Sequence, residues 1–226
     1  MAKYGGFAVT IARNVQYPEV RNDLLDFIKT AGNCEGLVIY FAGHGEVRKG
    51  ELFLVVDNTN AEEFLETSLR CEEITLHLKF CNAKNKLLIL DCCNAGAGAK
   101  DIRAAGGVPV SEIVQSESFR VFAASEMFEP TREHERWGGS FLSSVLVDQL
   151  TQRSMQSVSD VEAECRLRAE EHRTRFPGEW VSFPFVYGQE SGRFLLSLPR
   201  LKNFPKKNQR ITSEFWILIV RTCKGS

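Results

Sequence analysis

Two segments of the chain carry residue types suited to nucleophilic catalysis. The apolar run 36–42 is followed by His44, which lies between two glycines. The apolar run 87–90 is followed by an aspartate and two cysteines, the second of which is Cys93. A thiol attacks as the thiolate, and its reference pKa near 8.5 leaves only about a few per cent ionised at neutral pH. A histidine base and a cysteine nucleophile at two strand ends therefore predict a cysteine peptidase.

The positions of His44 and Cys93 in the sequence predict that the two residues lie close together in the fold. If the two runs are adjacent parallel strands, their carboxyl ends lie at the same edge of the sheet, where the sites of open α/β proteins form. Gly43 and Gly45 allow the backbone to approach a substrate closely. The amides of Gly45 and Cys93 are candidates for an oxyanion hole. The alternative is that His44 is a turn residue and Cys93 a small core residue.

Composition limits the classes of protein that fit. The chain has 226 residues, 43% hydrophobic and 25% charged, which is enough for one folded domain, or one domain and a short appendage. A net charge of −1 gives no indication of a nucleic-acid or membrane partner. Seven cysteines without a secretory signal predict reduced thiols and a cytoplasmic protein. The apolar run 215–220 is too short to span a bilayer.

No metal or cofactor is expected. The four histidines are scattered along the chain, and the cysteines lack the paired spacing of zinc sites. The D-x-D-x-D-G loop of calcium sites is also absent from the sequence.

The order of strand and helix patterns predicts an α/β fold, an open and mostly parallel sheet flanked by helices. Serine at 157, or at 159, is suited to cap the last helix. Glycines, alanines and a proline predict a long loop over residues 95–118. Strands are predicted at 6–12, 37–41, 86–90, 119–125, 183–188 and 193–198, a hairpin at 46–57, and helices at 19–31, 61–82, 140–151 and 158–175.

Two sequence blocks resemble those of a known family. Residues 40–45 read Y-F-A-G-H-G and residues 88–96 read L-I-L-D-C-C-N-A-G. They resemble the Y-F-S-G-H-G and D-S-C-H-S-G blocks of the caspase-like peptidases, nearest the metacaspase and bacterial-type branch. The caspase fold places its histidine about 50 residues upstream of its cysteine, as here. The resemblance extends over about residues 6–198, with comparable features at 123–126, 137–141 and 183–188.

The resemblance implies a role for each matching residue. Cys93 is the third residue of the D-x-C block and corresponds to the nucleophile, His44 corresponds to the base, and Cys92 is a bystander. Asp91 corresponds to the floor of the S1 pocket, where a carboxylate pairs with Arg or Lys at P1. The implied partners are a protein or peptide substrate and a second caspase-like chain, in a homo- or heterodimer, with no nucleic acid and no membrane.

Further residues are assigned by position. Ser125 and Glu126, at the end of the strand after the nucleophile strand, are predicted to add to the wall of the S1 pocket. Cleavage after basic residues would make Lys100 and Arg103, in the predicted loop, sites of self-cleavage. The alternative for that loop is a solvated basic segment.

The sequence departs from the family in two places. Asn94 and Ala95 replace the His-Ser that follows the nucleophile, and only five residues precede the strand at 6–12, so the N-terminal strand and helix of the fold are expected to be missing. The domain prediction is an N-terminally incomplete peptidase domain at 1–198 and a basic and apolar appendage at 199–226. In one alternative, residues 215–220 fill the vacant strand position. In another, the domain is an inactive scaffold or regulator that acts through protein contacts.

Overall fold

A computed structural model describes residues 2–4, 7–93, 118–125, 133–134, 137, 139–151, 156–179, 181–188, 195–196 and 216–222. The helices are α1 (Glu19–Thr30), α2 (Phe64–Thr67), α3 (Cys71–Phe80), α4 (Phe141–Thr151) and α5 (Val158–Arg175). The strands are β1 (Ala2–Tyr4), β2 (Phe7–Arg13), β3 (Gly36–Gly43), β4 (Gly45–Arg48), β5 (Glu51–Leu54), β6 (Leu69–Arg70), β7 (Asn85–Cys92), β8 (Ser118–Ala123), β9 (Glu133–His134), β10 (Gly139–Ser140), β11 (Gln156–Ser157), β12 (Phe185–Tyr187), β13 (Leu195–Leu196) and β14 (Trp216–Thr222).

The main sheet has seven strands in the order β1-β2-β14-β3-β7-β8-β12. Strands β3, β7 and β8 pair in parallel, and β14 lies antiparallel between β2 and β3. Strand β2 therefore runs in the same direction as β3. Strands β1 and β12 are antiparallel to their neighbours at the two edges. This confirms the prediction of an open α/β sheet in which most strands run in one direction: β2, β3, β7 and β8, four of the seven, are aligned.

Helices cover both faces of the sheet. Alternate residues of β3 and β7 point to opposite faces, so the apolar runs of these central strands are buried on both sides. One face packs against α1 and α3, and its strand residues include Leu37, Ile39, Phe41, Leu88, Leu90 and Cys92. The other face packs against α4 and α5, and its strand residues include Val38, Leu87, Ile89 and Phe122.

The capping prediction for α5 is confirmed, and Ser157 is the cap. The Ser157 hydroxyl accepts a hydrogen bond from the Asp160 amide at 3.1 Å, and the Asp160 carboxylate accepts one from the Ser157 amide at 2.8 Å. This reciprocal pair satisfies two amides that the first turn of a helix leaves without intrahelical partners. The start of an 18-residue helix is thus determined by four consecutive residues.

The helix predicted over residues 61–82 is wrong as a single element. The structure divides it into α2 and α3, with β6 between them. Ser68 is extended, and Leu69 and Arg70 pair with β5, which extends the predicted hairpin to three strands. Leu69 is only 2% exposed, so burial against the hairpin outweighs the helical pattern of the surrounding sequence.

The position expected to lack a strand is filled by the chain itself. All seven residues of β14 pair with β2 on one side and with β3 on the other. The structure thus agrees with the alternative in which the apolar run near residues 215–220 enters the sheet, so that residues 216–222 of the supposed appendage are part of it. The domain boundary near residue 198 stays a prediction.

Several predictions fall on residues outside the described ranges. They include the loop at 95–118 up to residue 117, residues 199–215 of the basic and apolar appendage, and the sites Lys100, Arg103 and Glu126. Within the described ranges, no helix combines the length and the apolar character that a membrane crossing requires.

Candidate active site

The register of β3 and β7 brings the two predicted catalytic residues to neighbouring strand ends. The last pair of the parallel ladder is Gly43 with Cys92. His44 and Cys93 are the next residue on each strand, so they leave the sheet side by side at its carboxyl edge. The side chain of His44 is exposed, and that of Cys93 is partly buried.

A hairpin holds the backbone of His44 from the other direction. The Val55 amide donates a hydrogen bond to the His44 carbonyl at 2.9 Å, and Gly45 begins β4, which pairs with β5. His44 therefore lies between two strand ladders, although its side chain is exposed to solvent. This backbone support restricts the positions that the imidazole can take, and it leaves the imidazole uncovered.

Gly45 brings the start of the hairpin close to the end of the cysteine strand. A Cβ atom at this position would lie 2.4 Å from the Cys93 carbonyl oxygen and 3.0 Å from the Cys92 Sγ. Atoms do not approach this closely, so a residue larger than glycine would displace the backbone of Cys93. The glycine after the histidine is therefore required by packing at the predicted oxyanion position.

The two adjacent cysteines have different surroundings. Cys92 is fully buried on the face of α1 and α3. Burial, with smaller effects from Cys71 and Asp91, raises the pKa of the Cys92 thiol well above its usual value. A buried neutral thiol is a poor nucleophile. Cys93 is only partly buried, so it is the thiol of the pair that solvent can reach.

Asp91 lies on the opposite face of β7, where two hydroxyl groups hold its carboxylate. Tyr40 donates a hydrogen bond to Oδ2 at 2.7 Å, and Ser140 donates a second one to the same oxygen. Asp91 is only 5% exposed. Burial and the nearby Asp91 charge raise the pKa of Tyr40 well above its usual value, so its hydroxyl stays protonated and remains a donor.

The match to a family model adds sequence evidence to this geometry. The model described as the caspase domain, a peptidase family, matches residues 1–182. The chain belongs to the caspase-domain family. No curated protein sequence matches it. The caspase domain has a cysteine peptidase-like function with proteins as substrates. The catalytic and substrate-binding roles of individual residues stay predictions.

Tyr40 and Ser140 contact the Asp91 carboxylate of this caspase domain, and neither contact was predicted from the sequence. Ser140 also caps α4, because its hydroxyl accepts from the Ser143 amide at 2.9 Å. In the sequence, Ser140 directly precedes an apolar helical pattern. A serine at that position is a signal for a helix cap. Tyr40 is two residues before Ala42, which pairs with Asp91, so side-chain alternation could have placed it on the Asp91 face.

Ser125, which was predicted to add to the wall of the S1 pocket, lies against the end of the cysteine strand. It is fully buried, and its hydroxyl donates to the Cys92 carbonyl at 3.5 Å. The Ala124 amide similarly donates to the Leu90 carbonyl at 2.9 Å. These contacts support the end of the cysteine strand, and the role of Ser125 in the S1 pocket stays a prediction.

The described part of the caspase domain contains no metal-binding cluster and no disulfide. Among its His, Cys, Asp and Glu side chains, no group of three or more is placed to hold a metal ion. No disulfide joins the six cysteines that the structure describes.

Replacement of Gly45 by alanine is expected to damage the site, because Gly45 lies directly against the backbone of Cys93. The added methyl group would displace the Cys93 backbone, which we expect to lower the free energy of unfolding by about 1–3 kcal/mol. A displacement of about 1 Å at the reacting cysteine should lower peptidase kcat/KM about 100-fold. Thermal denaturation and steady-state kinetics measure the two effects.

Gly50→Ala is the matched control, because Gly50 lies in the turn of the same hairpin. Its φ is +85°, and a Cβ atom there would contact nothing within 4 Å. Backbone strain should lower stability by about 1 kcal/mol without changing kcat/KM. Equal kinetic losses in the two variants would show that the contact between Gly45 and Cys93 is unimportant.

Proposed function

We propose that this caspase domain is a cysteine endopeptidase that uses a His44 and Cys93 dyad and prefers Arg or Lys at P1. The observation that carries the proposal is the register of β3 and β7, which sets both residues side by side, with the Asp91 carboxylate two positions before Cys93. Basic specificity, together with the two sequence blocks, is the basis for placing it near the metacaspase-like branch. We also propose cytoplasmic action, on the basis of the seven cysteines.

The proposed reaction uses the groups at the two strand ends. His44 accepts the Cys93 thiol proton, and Cys93 Sγ attacks the carbonyl carbon of the scissile peptide bond. The amides of Gly45 and Cys93 donate hydrogen bonds to the oxygen as it becomes negative. His44 then gives the proton to the leaving amine. A water molecule, deprotonated by His44, attacks the thioester and releases the acid product and the thiol.

Asp91 supports the preference for a basic P1 residue. Its carboxylate is buried, and its Oδ2 is oriented by the hydroxyls of Tyr40 and Ser140. A fixed anion in a site of low dielectric constant attracts a guanidinium or ammonium group strongly and disfavours an acidic side chain. The same charge would repel Asp at P1.

The test is a set of fluorogenic peptides that differ only at P1. We expect Arg and Lys peptides to be cleaved, the Asp peptide not to be cleaved, and Cys93→Ala to cleave none of them. Active-site titration with an alkylating peptide should label Cys93 alone. If no peptide in the set shows Cys93-dependent turnover, the inactive scaffold is the correct function.

Self-cleavage is expected if the basic preference is correct. Purified protein should then acquire new N-termini at Asp101 and Ala104, the residues after Lys100 and Arg103. Intact mass and N-terminal sequencing over time measure this, with the Cys93→Ala protein as the control that stays whole. A wild-type enzyme that cleaves Arg peptides and forms neither N-terminus would contradict cleavage at these two bonds.

A further inference from the structure

The central part of the sheet contains a strand position that is not filled by residues close in sequence to the two strands beside it. Strands β2 and β3 are joined by α1 and run in the same direction, yet they do not pair with each other. The crossover leaves one strand width between them, and β14 occupies it. We call this position the β2–β3 slot. Its walls come from one continuous stretch, residues 7–43, and its occupant comes from residues 216–222.

The contacts made by the occupant are those of an added strand. Each residue from Trp216 to Thr222 has a pairing partner on both sides, and both ladders are antiparallel. In such a strand, successive residues direct their N–H and C=O groups to opposite neighbours, so both edges are used. Recognition through main-chain hydrogen bonds along an edge depends on an extended backbone, and it does not require a covalent connection.

We propose that the β2–β3 slot is a strand-binding site whose ligand is the segment 216–222, and that its occupancy controls the peptidase. Without a strand in the slot, β2 and β3 would each expose an unpaired edge over seven residues. Those amides and carbonyls would lose their partners in the interior of the sheet. The segment therefore acts as a ligand that completes the fold.

Occupancy of the slot is coupled to the catalytic base. The β14 ladder reaches Ala42, which is two residues before His44. The nucleophile strand has a different support, because β7 pairs with β8 up to Ala123 on its far side. Loss of the strand should thus disturb His44 more than Cys93. This part of the inference rests on the proposed function.

The test starts from the full chain, so that the protein folds before the strand is released. A recognition sequence for a site-specific protease replaces residues 203–209, and mass spectrometry verifies the cut. We expect the two pieces to co-elute on size exclusion, and a labelled peptide of residues 213–224 to exchange into the cut protein. The same peptide with Ile219→Pro should fail, because proline removes an amide of the ladder and is excluded from interior strands.

Activity provides a separate measurement. Displacement of the wild-type strand by dilution should lower kcat/KM about 100-fold, and added 213–224 peptide should restore it. Exchange of the peptide without any activity would leave the strand-binding site intact and contradict the proposed function. Pieces that separate with unchanged stability, or an activity loss that the peptide does not restore, would overturn the strand-binding site. Hydrogen exchange on the uncut chain depends neither on the cut nor on the activity assay. Unprotected amides at 216–222 in that measurement would also overturn the strand-binding site.

Discussion

Cys93→Ala is expected to abolish cleavage of Arg and Lys peptides, while Cys92→Ala keeps most of it. Removal of a catalytic nucleophile lowers kcat by at least about 10³-fold, since only binding and the oxyanion hole remain. Cys92 is buried on the face of α1 and α3, and its raised pKa keeps its thiol neutral. Its replacement removes one buried sulfur atom, which should cost about 1 kcal/mol of stability and leave the reaction unchanged.

Alkylation separates the two cysteines independently of turnover. At pH 8, iodoacetamide should modify Cys93 in the folded protein and leave Cys92 unmodified, because a raised pKa keeps a thiol in its unreactive form at that pH. Mass spectrometry of the peptide that contains both residues, with Cys93→Ala as the control, identifies the modified one. A dead Cys92→Ala enzyme with normal stability would show that the nucleophile is wrongly assigned.

Asp91→Asn is expected to remove the preference for a positive charge at P1. Loss of one partner of a buried ion pair costs several kcal/mol, so kcat/KM for an Arg peptide should fall about 100-fold or more. Citrulline is an uncharged analogue of arginine with a similar shape, and its peptide should be nearly unaffected. The ratio of the two kcat/KM values therefore reports the charge at Asp91 rather than the general condition of the enzyme.

Tyr40→Phe and Ser140→Ala are the matched controls for this measurement. Each removes one hydroxyl donor from the Asp91 carboxylate and keeps its charge. We expect a loss of several-fold in kcat/KM for the Arg peptide, with the preference for arginine over citrulline retained. Thermal denaturation shows whether each variant is folded. An Arg-to-citrulline ratio that Asp91→Asn leaves unchanged would exclude Asp91 from the S1 pocket.

The neighbouring ends of β3 and β7 could be predicted because their signals are local. Two apolar runs of strand length, each followed by a reactive side chain, predict parallel interior strands that end at one edge, and the pairing of Gly43 with Cys92 agrees. The capping box at Ser157 is local as well, since all its hydrogen bonds lie within four residues. Burial, side-chain alternation and capping depend on near neighbours in sequence.

Tertiary structure decided the features that depend on residues far apart. Leu69 and Arg70 lie in a segment with a helical pattern, but pairing with β5 makes them a strand. Ser140 has the sequence of an ordinary helix cap, and only the fold brings its hydroxyl to Asp91.

The sequence by itself determined the central strands β3 and β7, the start of α5, and the positions of His44 and Cys93 directly after those two strands. Only the tertiary structure decided that residues 216–222 fill the slot between β2 and β3. The physical reason is that an apolar run specifies an extended, buried segment, whereas its pairing partners are chosen by main-chain hydrogen bonds that every sequence can make. The partner is therefore set by which edges the rest of the fold leaves unpaired.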